Sequence, residues 1–264
     1  MLISRYAYYL SSLPALLRGL ENWWLLGLLM LGVGGEGEPI LRLRRSPLRF
    51  RVRTAMDVWV VKEVCLDRDY ERGVRFEDGW TFLDVGAGIG DFSISVARRL
   101  PGSRVIALEP FSPSHRVLLD NIRLNGVQNV EAHPIALGAG SGPAKLRAGA
   151  AEPGQSSTAR LGPGVAAQAE EVAGQSLTSL LDDLRIARCD FLKMDCEGAE
   201  YEILMTTDEA TLGRVRHLAL EYHDGYTRHT HGELVDLLQS NGFRVQIEPS
   251  RAHREIGYLF ASRD

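Results

Sequence analysis

The sequence predicts an α/β fold in which an open, mostly parallel sheet is covered by helices on both faces. Short apolar segments with the length and composition of buried strands recur from residue 80 onward, and amphipathic segments lie between them. This alternation is typical of doubly wound sheets. The chain has 264 residues, 45% hydrophobic and 24% charged, which suits one large globular domain with an extension or two small domains.

The elements follow one another with short connections. The predicted strands are Trp80–Val85, Arg104–Leu108, Val130–Ala132, Phe191–Met194, Leu218–Glu221, Phe243–Ile247 and Gly257–Ala261. The predicted helices are an amphipathic segment at 56–66, then Asp91–Leu100, Ser112–Asn125, Leu177–Leu184, Tyr201–Met205 and Gly232–Asn241. Ligands of such sheets bind beyond the carboxyl ends of the strands, so functional residues are expected just after each strand.

Two parts of the chain depart from this alternation. Residues 1–55 form an N-terminal extension, and residues 56–264 carry the main domain. Within that domain, residues 138–176 are rich in Gly, Ala and Pro. So long an irregular stretch is unusual in a compact domain unless it is functional, and we interpret it as a variable insertion over the rim of the active site.

The extension contains an apolar run at residues 23–33. A membrane-spanning helix needs about 20 apolar residues, so this run is too short, and no small-x-small cleavage motif follows it. One interpretation is a helix packed on the main domain. The other is an interfacial helix within residues 1–35 that contacts a membrane surface, with Trp23 and Trp24 at the level of the lipid headgroups.

Residues 40–53 alternate between apolar residues and arginine around Ser46-Pro47, which predicts a β-hairpin. The arginine face is either a solvated strand face or a strip that binds an anionic acceptor, because a guanidinium group matches phosphate oxygens. The net charge of −4 provides no general attraction for nucleic acid. The arginines concerned are Arg42, Arg44, Arg45, Arg49, Arg51 and Arg53.

The cysteines indicate the compartment. Cys65, Cys189 and Cys196 are odd in number and lack the spacing of metal ligands. This usage is typical of a reducing environment and predicts a cytoplasmic protein, with contact to the inner membrane surface as an open addition.

Glycines follow the first predicted strand in the segment Asp84-Val-Gly-Ala-Gly-Ile-Gly-Asp91. Glycine lets the chain turn tightly and approach a ligand, and the turn delivers that ligand to the free N–H groups of the next helix. The spacing differs from the G-x-G-x-x-G of dehydrogenases. A carboxylate before the glycines suits a ligand with ammonium and sulfonium charges, such as S-adenosylmethionine. The predicted binding residues are Asp84, Gly86, Ala87, Gly88, Gly90, Asp91 and Phe92.

The next two strands add candidates for binding an adenosine group. Glu109 ends the second strand, where an acid can accept both ribose hydroxyls, although it could instead be an ordinary acid at a helix start. Pro110 and Phe111 could flank an adenine. Ile135 and Ala136 follow the third strand and would line the adenine edge.

Ionisable groups crowd the end of the fourth strand. Lys193, Asp195 and Glu197 alternate and would point the same way in an extended chain. The cluster is either catalytic or a salt-bridged helix start. Glu221 and His223 end the fifth strand at the same edge, and the ordinary pKa of histidine, about 6.5, suits a general base.

Together these segments resemble the FkbM family of S-adenosylmethionine-dependent methyltransferases. The segments DVGAGIGDFS, ALEPF with LLDNIRLNG, LKMDCEGAE and LALEYH match in order. The resemblance implies a class I, Rossmann-like fold with seven strands, the last two antiparallel. It also implies S-adenosyl-L-methionine as donor and O-methylation of a sugar, glycolipid or other small natural product. Glu63 and Tyr70 would close over the donor.

Methyl transfer to a hydroxyl requires a positioned acceptor and removal of its proton. His223 is the favoured base, Asp195 is the alternative, and Lys193 and Glu197 would tune the pair. Mg²⁺ bound by Asp195, Glu221 and His223 is an open variant. The competing functions are an RNA ribose methyltransferase, against which the net charge argues, and a non-catalytic donor-binding module.

Overall fold

The computed structural model describes residues 5–32, 37–148, 156–157, 169–250 and 255–263. Much of the predicted insertion, residues 149–155 and 158–168, lies outside this part. The α-helices are α1 (Arg5–Gly19), α2 (Trp24–Met30), α3 (Ala55–Val61), α4 (Asp91–Arg99), α5 (Ser112–Asn125), α6 (Leu177–Asp183), α7 (Ala199–Thr206), α8 (Glu209–Leu212) and α9 (His231–Ser240). After α3 the chain continues as a π-helix, Lys62–Asp67, and a 3₁₀ turn, Asp69–Glu71.

The strands form three sheets. They are β1 (Ile40–Arg42), β2 (Arg49–Arg51), β3 (Thr81–Val85), β4 (Arg104–Leu108), β5 (Val130–His133), β6 (Ile135–Leu137), β7 (Gly142–Ala148), β8 (Ser156–Ser157), β9 (Ala169–Gln175), β10 (Cys189–Met194), β11 (Val215–His223), β12 (Arg244–Pro249) and β13 (Ile256–Ser262). The central sheet has seven strands in the order β12-β13-β11-β10-β3-β4-β5.

The expected sheet is confirmed. Strands β5, β4, β3, β10 and β11 are parallel neighbours, and β13 runs antiparallel between β11 and β12. Every residue of β10 is buried, as expected for a central strand covered on both faces. The parallel register places Lys193 of β10 beside Asp84 of β3. This pairing brings the two predicted site segments together.

The segment after β5 adds a second sheet, in the order β6-β9-β7-β8. Strands β7 and β9 pair antiparallel from Gly142–Gly174 to Arg147–Ala169. Strand β6 pairs with β9 in parallel and so connects this sheet to the end of β5. The predicted irregular insertion therefore contains regular strands where the structure describes it.

The N-terminal extension contains two helices and the predicted hairpin. Strands β1 and β2 pair antiparallel, with Leu41 opposite Phe50. Both side chains are fully buried against the main domain together with Leu16, Leu20 and Leu25. The sequence predicts one helix at 23–33, whereas the structure has α1 and the shorter α2. In the described residues no helix is long and apolar enough to cross a membrane.

Asn121 of α5 connects the extension to the main domain. It accepts a hydrogen bond from the main-chain nitrogen of Arg51 at 2.6 Å and donates to the main-chain oxygen of Ile89 at 2.9 Å. Asn121 is fully buried, so water cannot replace these partners. The hairpin is therefore bonded through one side chain to the glycine-rich loop that contains Ile89.

Candidate active site

The glycine loop between β3 and α4 lies against the turn that follows β10. A Cβ at Gly86 would lie 1.8 Å from the main-chain oxygen of Asp195, and φ at Gly86 is +75°, so only glycine fits. A Cβ at Gly88 would meet nothing within 4 Å. One side of the loop is thus closed by Asp195, and the Gly88 side has room for a ligand.

Two predicted site residues lie beneath this loop. The Nζ atom of Lys193 is 3.1 Å from Oδ1 of Asp84 and donates to the main-chain oxygen of Gly86 at 2.8 Å. Ser93 donates to the other Asp84 oxygen at 2.6 Å. Burial lowers the pKa of Lys193, but Asp84, Asp195 and Asp91 outweigh it and raise that pKa above its ordinary value. Lys193 and Asp84 therefore support the glycine loop from inside the fold. The sequence instead predicts Lys193 at the exposed rim of the site.

Glu109 lies at the carboxyl end of β4, facing the same loop. Its Oε2 accepts from the Gly88 nitrogen at 2.7 Å, and its Oε1 accepts from the Phe111 nitrogen at 2.9 Å. Burial raises the pKa of Glu109 to about 7, although these two bonds oppose the shift. The carboxylate is therefore held in one orientation, and its second lone pairs remain to accept hydroxyl groups.

Of the other residues predicted to bind S-adenosylmethionine, some are buried and some are partly exposed. The Phe92 ring is 2% exposed and packs edge-on or stacked with Tyr70 and Phe191, so the ring belongs to the core. Burial raises the pKa of Asp91 to about 7. Ala87, Gly90 and Ala136 are also buried, whereas Pro110, Phe111 and Ile135 are partly exposed beside the strand ends. The partly exposed residues are the ones whose side chains can contact an adenine.

A cluster of acids and one tyrosine lies at the carboxyl ends of β10 and β11. The Tyr70 hydroxyl donates to Oδ2 of Asp195 at 2.9 Å and also lies 3.4 Å from Oε2 of Glu221. Burial, then the charge of Asp195, raises the pKa of Glu221 well above its ordinary value, and Glu63 adds to the shift. The structure thus brings the predicted Glu63 and Tyr70 to the two strand ends that carry the acids.

His223 lies beside this cluster and is 3% exposed. Its Nε2 is 3.5 Å from Glu197, and its Nδ1 is 3.6 Å from the fully buried Glu200. Burial lowers the pKa of His223, but Glu200, Glu221 and Glu197 outweigh it and raise that pKa to about 10. The sequence predicts a base with the ordinary pKa of histidine, whereas a pKa of about 10 favours the imidazolium form at neutral pH.

The turn from Asp195 to Gly198 places these groups. Glu197 and Gly198 have positive φ angles of 53° and 98°. Glu200 accepts from the main-chain nitrogens of Cys196 at 2.6 Å and Gly198 at 2.8 Å. The chain therefore leaves the extended conformation after Met194, and strand alternation does not describe the side chains beyond it.

Several site residues lie outside the predicted set. Glu200, which holds the turn and pairs with His223, lies in the predicted segment, but its position in the sequence does not indicate either contact. Tyr201 donates to Asp224 at 2.6 Å, and the Asp224 carboxylate also contacts the main chain and ring of His231. Sequence spacing gives no signal for these bonds, since their partners come from different elements.

A metal ion would have a different ligand set from the predicted one. Asp195, Glu197 and His223 can each offer one ligand atom, and these atoms lie within 4.8 Å of one another. Glu197 therefore replaces Glu221 in the candidate set. An imidazolium ion has no free lone pair, so His223 would have to lose its proton before it could bind a metal.

Comparison with known proteins identifies the family of the domain. Residues 84–245 match the model of the methyltransferase FkbM domain. The AMB antimetabolite synthetase AmbE of Pseudomonas aeruginosa is 31% identical over 227 residues, which cover 72% of this chain and 11% of AmbE. Methyltransferase 1 of Beauveria bassiana is 26% identical over 207 residues, covering 72% of this chain and 82% of that protein.

Among solved structures, methyltransferase FkbM from Methylobacillus flagellatus superposes with a TM-score of 0.47 at 16% identity, over 78% of this chain and 54% of that one. The chain spans only about a tenth of the length of AmbE, since the match covers 11% of it. The domain model covers more than half of the chain and includes the glycine loop, Glu109 and the acidic turn. The chain therefore belongs to the FkbM family of S-adenosylmethionine-dependent methyltransferases and has their class I α/β fold.

Proposed function

We propose that the protein methylates a hydroxyl group on a sugar, a glycolipid or another small natural product. The observation that carries this proposal is the cluster of Tyr70, Asp195 and Glu221. A hydroxyl group must lose its proton as the methyl group is transferred, so the site needs a base. Asp195 and Glu221 are the carboxyl groups that face the Tyr70 hydroxyl from two neighbouring strand ends, so they are the candidates to accept that proton.

The residues of the glycine loop fit the donor that the family implies. S-adenosylmethionine supplies an electrophilic methyl group on a sulfonium ion. The Gly88 side of the loop has room for a ligand, and the oriented carboxylate of Glu109 can accept ribose hydroxyls. Asp195, whose main-chain oxygen closes the loop at Gly86, would face the positively charged end of the donor.

The proton would pass to the carboxylates of Asp195 and Glu221. The Tyr70 hydroxyl has a single proton to donate, and its bond to Asp195 at 2.9 Å is shorter than its contact with Glu221 at 3.4 Å, so Asp195 receives the stronger bond. The acceptor oxygen forms a bond to the methyl carbon, the carbon–sulfur bond breaks, and the hydroxyl proton moves to this carboxylate pair. His223 would stay protonated and remain paired with Glu197 and Glu200.

The test is incubation with methyl-labelled donor and a panel of sugars, glycolipids, small natural products and nucleotides. We expect label in a methyl ether, identified by mass spectrometry and carbon NMR after isolation of the product. Label on a nitrogen or carbon atom would overturn O-methylation. Failure of the folded protein to bind donor in isothermal titration would overturn methyl transfer altogether.

Glu221→Gln tests the proposed base. The amide keeps the size of the side chain but cannot take the proton, so we expect turnover to fall by about 10²–10⁴ while donor affinity is retained. Glu202→Gln is the matched control, because Glu202 is exposed on α7. Full turnover by Glu221→Gln together with loss in Asp195→Asn would assign the proton transfer to Asp195 alone.

A further inference from the structure

The extension carries a concentrated apolar surface. Among the side chains that the structure describes, every exposed large hydrophobic one except Tyr226 lies between residues 10 and 31. Trp24 is 54% exposed, Met30 73% and Leu31 76%. A group of exposed apolar side chains in one part of a protein usually marks a binding site, whereas single exposed apolar residues scattered over the surface are normal. The apolar surface consists of Leu10, Leu13, Leu17, Trp23, Trp24, Leu28, Met30 and Leu31.

Part of this surface has helical spacing. Leu10, Leu13 and Leu17 are three and four residues apart on α1, and Trp24 and Leu28 are four apart on α2. Leu16 of α1, Leu20 just after it and Leu25 of α2 are buried and pack on the main domain. These buried leucines therefore anchor the two helices, while the apolar surface stays exposed.

Basic residues border the junction of α1 and α2. The main-chain nitrogen of Arg44 donates to Gly19 at 2.7 Å, and its guanidinium donates to the main-chain oxygen of Leu20 at 3.0 Å. The neighbouring basic side chains are exposed, and Glu21 is the acid at the same junction. The arginines around this junction are Arg18, Arg42, Arg44 and Arg45.

We propose that α1 and α2 bind the interface of a lipid bilayer that contains anionic headgroups. Tryptophan and leucine on one face with arginine beside them are the composition of interfacial helices, which enter the headgroup region by about 5–10 Å. The arginines are complementary in charge to anionic lipids. In the described residues no helix could span the bilayer, so binding would be at the surface. This inference does not rest on the proposed chemistry.

The test is sedimentation of the full chain with vesicles of phosphatidylcholine alone and of phosphatidylcholine with phosphatidylglycerol. We expect tighter binding to the mixed vesicles, reduced by salt. Trp24→Ser with Leu31→Ser should weaken binding to both vesicles by about tenfold or more, since it removes buried apolar area. Arg18→Gln with Arg45→Gln should weaken binding to mixed vesicles alone, by about tenfold.

Arg75→Gln with Arg98→Gln is the matched control, because both residues are exposed, lie outside the extension and change the net charge equally. All variants replace exposed side chains, and thermal unfolding confirms that they fold. Absence of wild-type binding to mixed vesicles would overturn the proposal, as would equal binding by the Trp24/Leu31 variant. A dimer in sedimentation velocity that this variant abolishes, with no vesicle binding, would assign the surface to a second copy of the chain.

Discussion

The two halves of the site hold their carboxylates in different ways. On the donor side, Asp84 is paired with Lys193, and Glu109 accepts two main-chain N–H groups. On the acceptor side, Asp195 and Glu221 face the same tyrosine hydroxyl, and Glu221 has a strongly raised pKa. The donor-side carboxylates are thus held by specific hydrogen-bond partners, and in the proposed function the acceptor-side carboxyls exchange a proton.

This difference follows from the position of the positive charges. Lys193 is buried below the glycine loop, where it compensates Asp84. His223 compensates Glu200 and Glu197 at the other end of the cluster. His223 also lowers the pKa of Glu221, but burial and the charge of Asp195 outweigh it. A preorganised donor site beside a proton acceptor is what transfer to a hydroxyl requires.

The largest expected effect is on the donor side. Lys193→Met removes the cation but keeps the length of the side chain, which leaves Asp84 charged and buried. Breaking a buried ion pair in this way costs about 3–5 kcal/mol of unfolding free energy. Denaturant unfolding measures the loss, and titration with donor should show weaker binding because the Gly86 carbonyl loses its partner.

Arg123→Met is the control for that prediction. It removes an ion pair between Arg123 and Asp120 whose arginine is 69% exposed, and exposed pairs contribute about 0–1 kcal/mol. If both substitutions cost the same, the donor side is not organised by its buried pair, and the contrast between the two halves fails.

The second effect concerns pH and the acceptor side. The pKa of His223 is about 10 in the folded protein, above the value of about 6.5 in an unfolded chain. The contribution of protonated His223 to the free energy of unfolding is therefore complete below pH 6.5 and is lost as pH rises through 10. Relative to His223→Gln, the wild type should lose up to about 1.4 kcal/mol of unfolding free energy per pH unit in this window.

Denaturant unfolding at several pH values measures this slope. His229→Gln is the matched control, because the half-buried His229 pairs with the exposed Glu233 instead of with the acids around His223, and this variant should keep the slope of the wild type. The same slope in both variants would show that His223 is not held as an imidazolium ion.

The smallest expected effect concerns divalent metal. Since His223 is protonated at neutral pH, Mg²⁺ would have to displace that proton to use the set of Asp195, Glu197 and His223. We expect Mg²⁺, added back after chelation, to change turnover by less than about twofold at pH 7. If Mg²⁺ strongly raises the turnover of the wild type but not of Glu197→Gln, the acceptor side binds a metal instead of exchanging a proton.

The sheet could be predicted well because its signals are local. Strand lengths, apolar composition and the glycines after β3 all report on short segments, and each predicted central strand occurs within a few residues of its expected bounds. The approach of Glu63 and Tyr70 to the strand ends followed from resemblance to a family, and no residue pattern shows it.

The electrostatics of the site could not be predicted in this way. Alternation along the chain predicts that Lys193, Asp195 and Glu197 point together, but the left-handed residue Glu197 ends that pattern. The pKa of His223 depends on Glu200 and Glu221, which come from a turn and a neighbouring strand. Such values are properties of the assembled site and not of a segment.

Asn121 has a mechanical consequence for the whole molecule. The fully buried amide of Asn121 bonds both the hairpin and the main chain at Ile89. A movement of the extension relative to the main domain would therefore also displace the glycine loop. A displacement of the hairpin is therefore transmitted to the glycine loop through this single side chain.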